Sequence, residues 1–481
     1  MADFTGLLNR LLGSRRATID TVTAAPAPLQ PIDLTDDARV TEVLDLAVRV
    51  GEVLLASGTA AMDVADQVQF IAATYGLAQC DVDVTYNSIV LSAYRGPTLP
   101  PASTMRIVHY RSMDFTRLAA VDRLTRRIRR DAILPSIAHD ALTTVTTAPH
   151  PYNRWTATLA WAGMAASISV LLGGGLLIAS VAFLTTMVID RVNRVLNRFK
   201  LPFFFQQFVG GTVAATPAAT LYTFQDQLGI DIAPSQIIAA GVVVLLSGLS
   251  LVGSVQDAIM GAPITASARF FEVVMMTGGI IAGVAMSLRL TGAVGSTLPP
   301  INVEIGNLAR VPIFLLAGAF ASLFYALACY AERRALTAAW AGGLAGAIVY
   351  VITTKLDIGP VMGSAIAATV VGLAGGLMAR RALTPPLVVA VAGITPLLPG
   401  LSLYRGLYAL LNDEPIVGLG ALLSAFGIGC ALAAGVTLGE WIARSLRRPR
   451  ILRAQDSIRR PTFKRRRTQL AGDAKKGTAA A

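Results

Sequence analysis

Most of the chain beyond residue 150 is long apolar runs, and the few polar or backbone-breaking residues inside them are where chemistry would have to occur. Asp257, Arg269 and Glu272 cluster after one run, and Arg405 and Asp413 follow another. An ionisable group at membrane depth is a functional candidate by default, whereas long side chains at the end of a run can reach water. Asp257 and Arg269 therefore read either as a structural ion pair or as a substrate or proton site. His109, His139 and His150 all precede the apolar runs. Any proton coupling falls to carboxylates, with Asp257 and Glu272 foremost.

Two further features are breaks in the backbone pattern. One run carries Ser247-Gly248-Leu249-Ser250; another carries Pro396 and Pro399-Gly400-Leu401-Ser402. Proline removes a backbone donor, and glycine costs helix order. Broken backbone inside a bilayer persists only where protein or water surrounds it, and its freed N–H and C=O groups can then bind a solute. The two breaks occupy matching positions. IIAAGVVVLLSGLSL (237–251) and VAVAGITPLLPGLSL (389–403) share eight of fifteen residues, and VGGTVAATP (209–217) faces VMGSAIAAT (361–369) at the same offset. The matched runs lie five spans apart, an odd separation that predicts inverted-topology repeats.

Other chemistries lack their residues. There is no GxxxxGK[ST], HExxH or GxSxG, which removes support for an ATP-driven pump and for common hydrolases. Cys80, Cys329 and Cys430 are far apart and form no metal spacing or disulfide framework. No enzyme activity, cofactor or metal is expected.

The elements that must position these residues follow from composition. Of 481 residues, 54% are hydrophobic and 15% charged, against about 25% charged in soluble domains. The chain reads as a polytopic α-helical membrane protein. Ten candidate spans lie near 155–172, 174–190, 204–223, 233–254, 272–290, 311–330, 335–353, 358–379, 384–404 and 416–441, each near the length a bilayer requires. They divide into a first half, 151–310, and a second, 311–445. Residues 1–34 read as a flexible leader and 35–150 as a small α+β domain. Helical periodicity starts after Asp36-Asp37, and a second helix ends at Gly76. CDVDVTY (80–86), IVLSAY (89–94) and MRIVHYR (105–111) read as strands. Phe115, Leu118, Val121, Leu124 and Ile128 mark an arginine-rich amphipathic helix.

The net charge of +12 resembles a nucleic-acid signal until it is placed on the chain. Residues 442–481 hold 13 Lys or Arg against Asp456 and Asp473. A basic tail (446–481) after a last span is a topology signal and a partner for anionic lipid, not for nucleic acid. With the N-terminus inside, one side holds Arg191, Arg194, Arg198, Lys200, Arg269, Arg333, Arg334, Arg380 and Arg381. The other holds Arg289, Arg310, Lys355 and Arg405. That asymmetry puts both termini in the cytoplasm.

These residues resemble the bacterial threonine/serine exporter family. The likeness covers roughly 38–445. It runs through GEVLLASGTAAMDVADQVQFIAATYGL (51–77) and Asp257-x3-Gly261-x7-Arg269, and ends in Pro399-Gly400-x3-Tyr404-Arg405-Gly406. The first break departs from the family's pattern, with Ser247-Gly248, Ser250 and Gly253 where Pro-Gly and a following Pro and Asn are common. The resemblance implies ten spans, a cytoplasmic N-domain in the bacterial inner membrane, and export of threonine and serine driven by the proton motive force. Some relatives divide the two halves between separate proteins and are associated with dicarboxylate export, which is the runner-up. A membrane-anchored sensor is a third reading.

A zwitterion such as threonine needs a donor for its carboxylate, an acceptor for its ammonium and a partner for its hydroxyl. Arg269 or Arg405, the N–H groups near Gly248 and Gly400, Asp257, and Ser250 or Ser402 supply these in turn, with Asp257 and Glu272 for proton coupling. A dicarboxylate would want both arginines and no nearby aspartate, so Asp257 favours the amino acid.

Overall fold

The computed structural model describes residues 31–109, 113–131, 133–228, 234–245, 248–292, 311–382, 384–411 and 414–447. The leader to residue 30, Ser247, Asp413 and the basic tail beyond Arg447 lie outside them.

The chain enters through α1 (Asp37–Ala56), α2 (Ala61–Thr74) and a three-stranded meander, β1 (Cys80–Thr85), β2 (Ser88–Ala93) and β3 (Ala102–Ile107). Helices α3 (Phe115–Asp131) and α4 (Pro135–Thr147) follow. Asp36 starts α1, its carboxylate accepting from the N–H groups of Ala38 (3.0 Å) and Arg39 (3.3 Å), which satisfies two of the donors a helix start leaves open. Val40, Val43, Leu44, Ala47 and Leu54 then bury one face. Gly51 sets the crossing of α1 and α2, since a β-carbon there would lie 2.7 Å from a Val68 methyl. Gly58, at φ +87°, ends the turn in the left-handed region open to glycine.

The strands pair antiparallel in the order β1-β2-β3, with Cys80 opposite Ala93 and Ser88 opposite Ile107. Ile89, Leu91 and Ala93 of β2 point into the core, while Asp81 and Asp83 of β1 face outward. β3 departs from the expected 105–111: it starts three residues earlier and ends at Ile107. Its apolar residues also face out, Met105 and Ile107 being exposed. The inward side is instead claimed by Arg106, which pairs with Glu52 of α1 at 2.5 Å. On α3 the five periodic positions, Phe115 to Ile128, are all buried.

From Arg154 onward the chain is helical. The elements are α5 (Arg154–Leu171), α6 (Leu176–Arg198), α7 (Phe203–Thr223), a short helical turn, α8 (Pro234–Leu245), α9 (Gly248–Met260) and α10 (Pro263–Gly292). Then come α11 (Val311–Ala328), α12 (Arg333–Lys355), α13 (Pro360–Ala382), α14 (Pro386–Ile394) with a 3-10 turn at Thr395–Leu397, α15 (Gly400–Leu411) and α16 (Pro415–Arg447). Among the described residues six helices, α6, α10, α11, α12, α13 and α16, are long and apolar enough to cross a membrane. The pair α8–α9 passes the same test together but bends by 48°, and Pro386–Leu397 is a shorter apolar stretch. Helices α5 and α7 have the length, about 27 and 32 Å at 1.5 Å per residue. They fall outside that set of six, and α7 is diluted by Gln206, Gln207 and a ladder of threonines. Large apolar side chains such as Leu176, Leu184, Ile352, Leu423 and Trp441 point outward, as a hydrocarbon solvent permits.

Small residues let two helix pairs approach to backbone contact. A methyl group at Gly283 of α10 would run into the Phe208 carbonyl of α7, and one at Gly279 would lie 2.6 Å from the Phe204 carbonyl. Between α13 and α16, Gly435 meets the Ala365 carbonyl and Gly439 that of Thr369. Close crossings of this kind replace the hydrophobic drive that lipid cannot supply.

Candidate functional site

The second expected break is the start of α15, which Gly400 opens, whereas the first includes Ser247 and falls between α8 and α9, outside the described residues. The α14 helix ends where Pro396 and Pro399 leave no ladder to continue, passing through the 3-10 turn before α15 begins. The chain turns tightly here, the Gly400 N–H donating to the Leu398 carbonyl at 2.8 Å. Gly400 abuts Val243 near the end of α8, and a β-carbon at 400 would overlap that valine's side chain. Gly429 of α16 packs on Leu251 of α9, where a β-carbon at 429 would lie 2.5 Å from a Leu251 methyl. Ser250 and Ser402 are half-buried one turn or less past each break, and Arg405 is exposed on α15.

The second cluster lies at the elbow between α9 and α10. Gly261 (φ +96°) turns the chain, and the Ala262 N–H donates to the Asp257 carbonyl at 2.8 Å. This fold-back carries Arg269, two turns into α10, to Asp257, whose Oδ2 lies 2.5 Å from Arg269 Nη1. Asp257 is fully buried and Arg269 nearly so. The other carboxylate oxygen, Oδ1, accepts the Ala61 N–H at 2.8 Å. Helix α2 has no side-chain cap of its own, because position 60 is alanine. Asp257 fills that place from 196 residues away, offering a negative charge to a helix N-terminus.

The same face of α10 holds two more contacts. The Thr265 hydroxyl accepts the Tyr86 N–H and donates to the Val84 carbonyl, both at 3.0 Å. The Tyr86 hydroxyl donates to Glu272 at 3.2 Å. Tyr86 sits in the left-handed region (φ 52°) at the tip of the β1–β2 hairpin, which leaves its N–H and ring free to reach α10. Thr265, Arg269 and Glu272 thus form one stripe at i, i+4 and i+7. Of the residues singled out from sequence, Asp257, Arg269 and Glu272 meet at the elbow, and Gly400 packs on Val243 of α8, five residues before Gly248. Ala61, Tyr86 and Thr265 carried no signal in composition. The i, i+4, i+7 spacing would have revealed Thr265, but its partners come from a turn far away in sequence. Among the described residues no group of His, Cys, Asp or Glu could hold a metal ion.

Among the described residues, six helices long and apolar enough to cross a membrane, a bent apolar pair and buried charge at a helical elbow fit a polytopic helical membrane protein. A family profile for threonine/serine exporters, ThrE, matches residues 45–291, and a second, described as threonine/serine exporter ThrE, matches 314–442. The chain is 44% identical over 442 residues to a threonine/serine exporter of Corynebacterium glutamicum, covering 91% of this chain and 90% of that one. It is 39% identical over 425 residues to a protein of Mycobacterium tuberculosis named "Probable threonine/serine exporter", covering 86% and 78%. The chain belongs to the threonine/serine exporter family. No solved structure matches it.

Proposed function

We propose that this protein exports threonine and serine from the cytoplasm of a bacterial cell by alternating access, coupled to protons. The observation that carries the reading is the 44% identity to a named threonine/serine exporter along nine-tenths of the chain. The break before α15, packed on Val243 of α8, supplies the physical means, a helix start at membrane depth that can receive a carboxylate. Gly248, Ser250, Gly400, Ser402, Arg405 and Arg269 are the proposed substrate contacts, and Asp257 and Glu272 the proton carriers. No step here calls for bond-making on the substrate, so the protein acts as a carrier and not an enzyme.

The architecture proposed for this work is ten passages in two inverted five-span repeats, 151–310 and 311–445, behind a cytoplasmic α+β domain at 35–150. The passages are the six long apolar helices, α5, α7, the bent α8–α9 and the broken α14–α15. Element starts support it. Helices α6 and α7 begin at 176 and 203, and α12 and α13 each begin 157 residues later, which moves the partner of 361–369 five residues back from 209–217. Helix α10 begins at 263, and α16 begins 152 residues later. The glycine crossings agree at the same offsets, since Gly283 on Phe208 maps onto Gly435 on Ala365. Both termini then face the cytoplasm of the inner membrane, with the basic tail on anionic lipid.

Threonine-loaded membrane vesicles carrying Asp257→Asn or Arg405→Ala at parent protein levels test the site. Efflux falling at least tenfold supports it. Normal efflux from both variants overturns the assignment.

A further inference from the structure

The N-terminal segment touches the membrane part at two places far apart in sequence. The first is the α9–α10 elbow, where Ala61, Val84 and Tyr86 meet Asp257, Thr265 and Glu272. The second is the corner between α11 and α12. There Asp114 caps α3, its Oδ1 accepting the Arg117 N–H at 3.0 Å. The freed start of α3 leans on the corner: the Phe115 N–H donates to the Cys329 carbonyl at 2.9 Å, and the Thr116 hydroxyl donates to the Tyr330 carbonyl. Arg123 pairs with Glu332 at 2.6 Å. The His150 ring stacks on Tyr330 at 4.4 Å and lies 3.2 Å from Asp114. Tyr330 holds φ +58°, a left-handed turn that presents two successive carbonyls, of 329 and 330, to α3.

We infer that residues 37–150 form a brace joining the α9–α10 elbow of the first half to the α11–α12 corner of the second, and that the brace must release at one end for the halves to move. This rests on the alternating-access reading for its role in transport, but not for its mechanical content. A rigid body held at two points gains from both at once, because the bound end holds the free end at high effective concentration. Loosening one end therefore loosens the other. One face of the segment, α2 with the β1–β2 turn, carries the elbow contacts. The start of α3 carries the corner contacts. The core joining the two, with Val64, Val68, Ile71, Phe115 and Ile128 all buried in it, transmits the strain.

Cys329, 2% exposed beneath α3, reports on the corner. The full chain carrying Cys80→Ser and Cys430→Ser keeps it as the single thiol. Maleimide labelling of Cys329 is measured in that background, in Thr265→Val and Tyr86→Phe at the elbow, and in Glu332→Gln at the corner. Tyr86→Phe loses one hydrogen bond and Thr265→Val two, so labelling rises about fivefold in the first and further in the second, although the change lies at the other end. Glu332→Gln raises it directly. Parent-rate labelling in both elbow variants overturns the brace, and so does parent-rate labelling in Glu332→Gln. If Thr265→Val does not fold, Tyr86→Phe, which removes only a hydroxyl, carries the test. Threonine with an imposed proton gradient is then added to the single-thiol protein in liposomes. Threonine transport with altered Cys329 labelling supports release during turnover, and transport with unaltered labelling overturns it. Absence of threonine movement overturns the exporter reading alone, since the elbow-to-corner comparison needs no substrate.

Discussion

Replacing Asp257 by asparagine keeps the shape of the side chain and removes its charge. The structure makes the cost large for a specific reason. Asp257 and Arg269 are both buried, 2.5 Å apart, and the carboxylate also holds the α2 N-terminus through Ala61. Removing one member of a buried pair strands the other charge, which costs about 3–5 kcal/mol. Exchanging both for uncharged residues of like volume avoids that penalty, so Asp257→Asn with Arg269→Met costs less than Asp257→Asn alone. The Ala61 contact is separable. Ala61→Pro deletes the N–H at the first helical position, where proline is tolerated, and loses about 1.5–3 kcal/mol for a hydrogen bond to a charged group. The assay is graded SDS denaturation of purified protein in mixed micelles, with the parent, Asp257→Asn, Arg269→Met and the double variant forming a cycle and Ala61→Pro measured beside them. Asp257→Asn within about 0.5 kcal/mol of the parent, the range of an uninvolved surface change, would refute the reasoning. So would costs of Asp257→Asn and Arg269→Met that simply add.

The glycine crossings give a paired prediction. Gly283→Val and Gly435→Val each drive a branched side chain into a facing carbonyl, losing about 1–3 kcal/mol or more by overpacking. Similar drops in folded yield on size exclusion are expected, and a tolerated valine at either position contradicts the packing. Gly400→Val collides with Val243 and is expected to abolish threonine efflux from vesicles, while Val243→Ala combined with it restores part of the rate. Burial pushes the Cys80 thiol up to about 11, with Asp81 adding to it. Its thiolate fraction at pH 7 is then about a hundredfold below that of a free thiol; maleimide labelling rates that keep rising past pH 9 check this. Burial, with Glu42 beside it, likewise holds Tyr75 up at about 12. Both groups keep their proton in the folded segment after the unfolded chain has lost it. Their contribution is therefore complete below about pH 9 and declines from there to about pH 12; alkaline titration followed by tyrosinate absorbance reads the loss.

How far the sequence reaches depends on where each residue's partners lie. Helix α3 was legible because Phe115, Leu118, Val121, Leu124 and Ile128 bury one face of a single helix. The break at Gly400 is legible because proline and glycine act on their own backbone. The bounds of β3 differ from the apolar run at 105–111, since Arg106 finds Glu52 on α1 while Met105 and Ile107 turn outward. The elbow was half legible. Asp257 and Arg269 share a sequence neighbourhood, so their pairing could be raised as one of two readings. Ala61 and Tyr86 lie 196 and 179 residues before their partners Asp257 and Thr265. Nothing local in an alanine or a hairpin tyrosine announces that the N-terminal segment supplies half of that site. The corner at Cys329–Glu332 was hidden for the same reason: its role resides in backbone carbonyls, which every residue carries.

The most direct test of the central claim uses purified protein in liposomes loaded in turn with labelled threonine, serine and succinate, with and without an imposed proton gradient. Threonine and serine movement that responds to the gradient, with succinate retained, is the predicted result. Movement of succinate alone would contradict the amino-acid exporter reading and turn the site toward a dicarboxylate held by Arg269 and Arg405.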